Sequence, residues 1–336
     1  MKVAVLAPVA WRTPPRHYGP WEQVASNIAE GLIKKGVEVT LFATGDSITA
    51  GTLDAVCATG YEEDRSQDAK VLECLHISNL MEKAGSFDLI HNNFDFLPLT
   101  YSGLIKTPVI TTIHGFSSPR IIPVYKKYNA TSHYVSISNA DRSPELDYLA
   151  TVYNGLNTQE FAVAEQPDDY LVYFGRIHHD KGAAEAIEIA RKSNRRLLIA
   201  GIIQDENYYR EKVEPFIDNE QIVYAGHAGP DKRNELLGKA AALLHPINFN
   251  EPFGMSVAEA MLCGTPVIAF NKGSMPELIK DQETGFLVNT VEEAVDAVKE
   301  LPVIDRQACH EWAKSQFSRE KMVDDYYKLY QQILNK

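Results

Sequence analysis

Short apolar runs alternate with amphipathic stretches along almost the whole chain, the pattern of parallel sheets with helices packed on both faces. In the first half the runs predict strands over Val3 to Leu6, Val37 to Phe42, Leu89 to His91, Val109 to Ile113 and Tyr134 to Ser136. Between the first two, Val24, Ile28, Leu32 and Ile33 recur at helical spacing, which predicts a helix from about Trp21 to Lys35 that stops at Gly36. A second series is expected at Leu171 to Phe174, Leu197 to Ala200, Ile222 to Tyr224, Ala242 to Leu244 and Val267 to Ala269, each separated from the next by a helix. Residues 157–169 between the two series are polar and contain Pro167 and two aspartates, so they read as a linker. Ser318 to Leu334 is again helical in pattern. The fold class expected is therefore α/β, with Rossmann-like domains over 1–156 and 170–317, a linker over 157–169 and a final helix over 318–336.

Composition narrows the function. With 336 residues and 45% apolar content, the chain can bury two cores. Its 33 basic and 45 acidic residues give a net charge of -12, which argues against a nucleic-acid partner bound through a generally basic surface. Cys57, Cys74, Cys263 and Cys309 show no short paired spacing, so neither a zinc site nor a disulfide framework is expected, and a reducing cytoplasm is the simpler compartment. No apolar run approaches the roughly 18 residues of a transmembrane helix. Peripheral contact with the inner membrane face would rest on Lys126, Lys127 and Arg120, a strip too sparse for stable anchoring.

The densest chemistry lies in EPFGMSVAEAMLCGTPVIAF, Glu251 to Phe270. Glu251 precedes Pro252 and is biased to extended geometry, whereas Glu259 falls one turn inside a helix that begins near Ser256. Between them the amides of Gly254, Met255 and Ser256 fall at a helix N-terminus, where unpaired N–H groups and the dipole attract phosphate. An anion and a polyhydroxyl group would suit such a turn.

The E-x7-E spacing followed by A-x-x-x-G-x-P-V-I resembles the signature of the retaining, nucleotide-sugar-dependent glycosyltransferases of the GT-B fold, specifically glycosyltransferase family 4. Three further stretches agree in order: TTIHGF at Thr111 to Phe116, VYNGLNTQEF at Val152 to Phe161, and GRIHHDKG at Gly175 to Gly182, the last similar to the family's arginine-x4-lysine element. Asn157 stands where an aspartate is usual. The resemblance implies two facing Rossmann-like domains, a C-terminal helix returning to the first, and transfer of a sugar from a nucleoside diphosphate, UDP before GDP, to a hydroxyl acceptor. It implies catalytic roles for Arg176, Lys181, Glu251 and His114. Donor-binding roles fall to Glu259, Phe253, Gly254, Met255, Ser256, Gly19, Gly175 and Asn154. Within that scheme Glu259 would hold the ribose hydroxyls, Glu251 those of the transferred sugar, and His114 would orient the reacting groups.

Departure of a nucleoside diphosphate leaves negative charge on the β-phosphate, so positive potential must be waiting for it. Arg176 and Lys181 can supply it. No D-x-D triplet occurs, the element by which metal-dependent transferases hold a divalent ion, so no metal and no other cofactor is expected. His178 and His179 read as exposed loop residues rather than ligands. The resemblance is weakest after the first strand, where Pro20 replaces a second glycine beside Gly19. Arg16, His17, Tyr18 and Trp21 in that loop, with Asn93 and Asp95 in HNNFDF, His91 to Phe96, are assigned to the acceptor side. Two other classes fit the same architecture: a nucleotide-sugar 2-epimerase and a non-catalytic nucleotide-sugar-binding protein. A nicotinamide dehydrogenase does not, because no G-x-G pair follows a strand.

Overall fold

The structure, a computed structural model, describes residues 1–16, 19–116, 118–164 and 166–335, apart from the side chains of Pro230 and Asp231. His17 and Tyr18, assigned above to the acceptor side, lie outside the described residues. The chain forms two compact units, one made of Met1–Leu156 with Arg319–Lys336 and the other of Asn157–Ser318.

In the first unit, strands β1 (Lys2–Leu6), β2 (Glu38–Phe42), β3 (Thr52–Asp54), β4 (Leu89–Asn92), β5 (Val109–Ile113), β6 (His133–Ser136) and β7 (Tyr148–Thr151) make one sheet in the order β3-β2-β1-β4-β5-β6-β7. Every described pairing in it is parallel. Helices α1 (Pro20–Lys34), α2 (Ala69–Glu82), α3 (Leu99–Ser102) and α4 (Ile122–Tyr128) accompany it. Strand residues alternate between faces, as a two-residue repeat requires. Val3, Val5, Val39, Leu41 and Leu89 meet Val24, Ile28 and Leu32 of α1, while Ala4, Leu6, Phe42 and Ile90 meet Ile77 and Leu80 of α2.

The second unit holds β8 (Tyr170–Phe174), β9 (Arg196–Ala200), β10 (Ile222–Gly226), β11 (Ala242–His245), β12 (Val267–Phe270) and β13 (Gly285–Val288), parallel and ordered β10-β9-β8-β11-β12-β13. Its helices are α5 (Ala183–Lys192), α6 (Glu206–Lys212), α7 (Pro230–Lys239), α8 (Met255–Leu262), α9 (Met275–Leu278), α10 (Val291–Glu300) and α11 (Arg306–Phe317). The polar stretch 157–169 packs onto this unit. Phe161 is buried under the Arg233 guanidinium, 4.7 Å from its ring centroid, and Asp168 N–H donates to the Lys239 carbonyl at 2.7 Å.

Both orders reverse direction once, at β1/β4 in the first unit and at β8/β11 in the second. At such a reversal the loops leaving the carboxyl ends of two neighbouring strands diverge to opposite faces and leave a crevice between them. Each predicted strand is present. The sequence reading missed β3, β7 and β13, all edge strands of three or four residues: Thr52–Asp54 has one apolar residue, whereas Tyr148–Thr151 and the mostly buried Gly285–Val288 are apolar but short.

After α11 the chain re-enters the first unit as α12 (Arg319–Leu334) and lies along α1. Tyr330 Oη meets His91 Nδ1 at 2.5 Å, Tyr326 Oη meets Thr112 Oγ1 at 2.7 Å, and His91 Nε2 meets the same hydroxyl at 2.7 Å. The fully buried His91 is thus a core residue of HNNFDF rather than part of an acceptor surface. Gly31 sets the approach of α12: a Cβ placed on it would sit 2.3 Å from Val323 Cγ2. Gly31→Val should therefore overpack this helix pair and lower the stability of the first unit by roughly 1–3 kcal/mol, read as an earlier calorimetric transition. An unchanged transition would contradict the packing described.

Candidate active site

Arg176 and Lys181 lie on the loop that leaves β8, and Phe249, Glu251 and Gly254 on the loop that leaves β11, so they share the crevice at the reversal of the second sheet. The first loop is pinned by its backbone. Ile177 N–H donates to the Ile202 carbonyl at 2.8 Å, and Gln204 and Asp205 N–H donate to the Ile177 carbonyl at 3.2 and 3.1 Å. Gly182 closes it with φ 74°, a left-handed backbone, and a Cβ there would fall 1.9 Å from the Pro246 carbonyl oxygen. Only glycine allows the two loops to lie this close.

Lys181 Nζ meets Glu251 Oε2 at 2.5 Å with both side chains mostly buried, and the same ammonium lies 4.5 Å from the Phe249 ring centroid. Arg176 is half-buried and donates from Nη1 to Gln204 Oε1. Gly175, at the start of that loop, donates its N–H to the Ala200 carbonyl at 3.0 Å. Two residues reserved for a ligand are therefore paired with each other: the acid expected to meet a sugar neutralises the cation expected to meet a phosphate.

Glu259 behaves alike. It is buried on α8 and accepts from Arg233 Nη1 at 2.9 Å, and burial outweighs that cation and holds the carboxyl above its ordinary range. Helix α8 starts at Met255, after Gly254 with φ 92°, and Met255 and Ser256 are half-buried at its N-terminus. Phe253 is a core residue whose ring meets Phe317 edge-on at 5.7 Å and whose carbonyl accepts from Ser274 Oγ at 2.7 Å, so its side chain packs the unit rather than facing a ligand.

Sequence reasoning missed Arg233 and His245. His245 closes β11 with Nε2 3.8 Å from Glu251 Oε2 and without a hydrogen-bond partner, and burial, helped by Lys181, lowers its pKa to about 3. A polar residue ending an apolar run is the signal that could have found it, since His114 ends another. Within the arginine-lysine loop His178 and His179, together with Asp205 ahead of α6, each offer one ligand atom, all within 4.8 Å of one another, among the described residues. Two imidazoles and a carboxylate suit a divalent transition metal, whereas they bring no fixed positive charge to a phosphate.

In the first unit, His114 Nε2 meets Asn93 Oδ1 at 3.0 Å, the imidazole stacks on Trp21 at 5.6 Å, and burial lowers its pKa to about 3. The ring is neutral at physiological pH. His114 Nδ1 and Asn93 Nδ2 have no partner. Trp21, Gly19 and Asp95 line one pocket at the β1/β4 reversal, together with Glu22, Glu73 and Tyr61, which the sequence reading did not single out. Arg16 does not line it, being bound to Asp46 and Glu63 at 3.0 and 2.7 Å. Asn154 is buried in the first unit, beyond β7.

Residues 157–319 match the family model for glycosyl transferases group 1. An uncharacterized glycosyltransferase of Methanocaldococcus jannaschii is 24% identical over 338 residues, covering 86% of this chain and 85% of that protein. Among solved structures, a glycosyltransferase involved in avilamycin A biosynthesis superposes with a TM-score of 0.74 at 22% identity, covering 100% of this chain and 98% of its own. The Anabaena protein HepE, in complex with UDP and glucose, gives 0.74 at 17% identity over 98% and 99%. These likenesses identify the fold as GT-B.

Two outcomes follow from the buried charges. Lys181→Met strands Glu251 and should destabilise the second unit by roughly 3 kcal/mol, whereas adding Glu251→Leu should recover most of the loss in a calorimetric double-mutant cycle; additive effects would mean the pair is not coupled. Burial also pushes the Glu22 carboxyl up to about 7. The folded state then holds a proton that the unfolded state releases near 4.5, so stability falls as pH rises between these values. Glu22→Gln should flatten that slope and raise the melting temperature at pH 8 relative to the parent protein, and a parallel pH profile would refute the assignment.

Proposed function

We propose that this chain, a glycosyltransferase of the GT-B fold whose residues 157–319 match the group 1 family model, moves a sugar from a UDP-sugar to a hydroxyl acceptor with retention at the anomeric carbon and without a metal ion. The observation that carries this reading is the convergence of Arg176, Lys181, Glu251 and the start of α8 on one strand-order reversal. UDP as the nucleotide is supported by the complex of HepE with UDP and glucose.

In this reading the diphosphate enters between the loop of β8 and the N-terminus of α8. It draws Lys181 away from Glu251, so that the ammonium meets phosphate and the freed carboxylate accepts hydrogen bonds from the transferred sugar. The pre-formed ion pair keeps both groups compensated until the ligand divides them. As the anomeric carbon–oxygen bond breaks, charge grows on the β-phosphate, and Arg176 and Lys181 stabilise it more in the transition state than in the ground state. The acceptor oxygen bonds to the same face of the sugar, and its proton passes to the departing phosphate oxygen. Glu259, kept in place by Arg233, receives the ribose hydroxyls. Neutral His114 with its unpartnered Nδ1 orients hydroxyls rather than carrying charge.

Three measurements test this. UDP should raise the melting temperature more than GDP or ADP, because only a bound ligand stabilises by mass action; a preference for GDP would reassign the donor. Arg176→Ala should lower kcat by about 10²- to 10³-fold with an unchanged circular dichroism spectrum. Turnover should persist in EDTA, and loss that magnesium or manganese restores would overturn the metal-free scheme.

A further inference from the structure

A pocket of about 480 Å³ opens at the β1/β4 reversal of the first unit, between the loop after β1 and the loop after β4. Its volume falls within the usual range of small-molecule sites. Trp11, Trp21 and Phe94 give it aromatic walls, and Glu22, Glu73 and Asp95 give it three carboxyls, while no lysine or arginine lines it among the described residues.

The partners of these carboxyls are neutral. Tyr61 Oη donates to Glu73 at 3.1 Å, Tyr125 Oη donates to Asp95 at 2.5 Å, and Glu22 accepts from the backbone N–H groups of Trp11 and of Glu22 itself. Arg16, which shares the loop after β1, is committed to Asp46 and Glu63. Asp95 sits in a left-handed turn, φ 76°, a conformation that aspartate adopts more readily than most residues. Asn92 enforces that turn, accepting from Phe94 N–H at 2.9 Å and donating to the Asp95 carbonyl at 2.8 Å.

Acids gathered in a partly buried pocket, with no cation among the described residues that line it, are costly as anions. Burial accordingly raises all three, Glu22 to about 7 and Asp95 to about 6. A ligand bringing positive charge relieves that cost, and ring faces beside the acids attract the same charge. A ligand bringing phosphate or carboxylate adds to the cost and is rejected.

We propose that the acceptor is a hydroxylated ring bearing an amino group, and that Glu22, Glu73 and Asp95 form the subsite that holds its ammonium against Trp11 and Trp21. This deepens the glycosyltransferase reading and rests on it for the word acceptor, but the subsite can be assayed without turnover. Trp11 and Trp21 lie in the pocket wall, so tryptophan fluorescence reports occupancy.

The experiment titrates UDP-saturated enzyme at pH 7.5 with glucose, with its amino-deoxy counterparts substituted at C2, C3 or C6, and with glucose 6-phosphate and glucuronate. UDP binding is measured separately by calorimetry. At least one amino sugar should bind about tenfold or more tightly than glucose, the size expected of one charge-assisted hydrogen bond, and the two anionic sugars should bind more weakly than glucose. Glu73→Gln, a near-isosteric change on half-buried α2, should remove about tenfold of the amino preference while UDP binding and circular dichroism stay as they were. Equal binding of glucose and every amino sugar, preference for an anionic sugar, or an amino preference that survives in both Glu73→Gln and Asp95→Asn would overturn the proposal. If UDP fails to bind while the amino preference holds, the donor reading falls and the subsite stands. If UDP binds and the preference is missing, the subsite falls alone.

Discussion

A parallel sheet carries all its strands in one direction, so every loop that follows a strand emerges at the same edge. Where the order of strands reverses, two of those loops part company and leave a space that no helix fills. This chain meets that constraint twice, at β1/β4 and at β8/β11, and nearly all of its unusual chemistry is found there. Arg176, Lys181, Glu251 and His245 surround one reversal; Trp21, Glu22 and Asp95 surround the other. The sheets do not merely support these groups. Their topology decides which loops can be neighbours, and glycine at 182 decides how closely two of them lie.

The two reversals are charged in opposite ways. In the second unit each acid has a cation, Glu251 with Lys181 and Glu259 with Arg233, so the charges are balanced before any ligand arrives. Such pairs spare the protein an uncompensated buried charge, and they can be separated by a ligand that offers each member a better partner. In the first unit the described partners of the acids are hydroxyls and amides, and burial raises all three carboxyls above their ordinary range. One crevice is an exchangeable set of ion pairs and the other is a set of carboxyls that no described cation balances.

Much of this architecture was legible in the chain. Central strands such as Val3 to Leu6 are buried on both faces and appear as continuous apolar runs, whereas β3, β7 and β13 are edge strands of only three or four residues. The Glu251 and Lys181 motifs were legible as chemistry, but their union across 70 positions was not, because pairing depends on how β8 and β11 come to be adjacent. Glu73 carries no signal in the sequence, and its place in a pocket with Asp95 follows only from the packing of α2 beside the loop after β4. Residues 157–169 looked like a linker because polarity was weighed without Phe161, whose burial ties the segment to α7.

The return of α12 to the first unit has a consequence for synthesis. His91 and Thr112 meet each other at 2.7 Å but reach their tyrosine partners only when residues 326 and 330 exist, so the N-terminal sheet completes this buried polar network with the last helix of the chain. The residues of the second unit are complete by Ser318. In the usual vectorial order the earlier domain matures first; here the earlier unit draws its last contacts from residues that follow the whole of the later one.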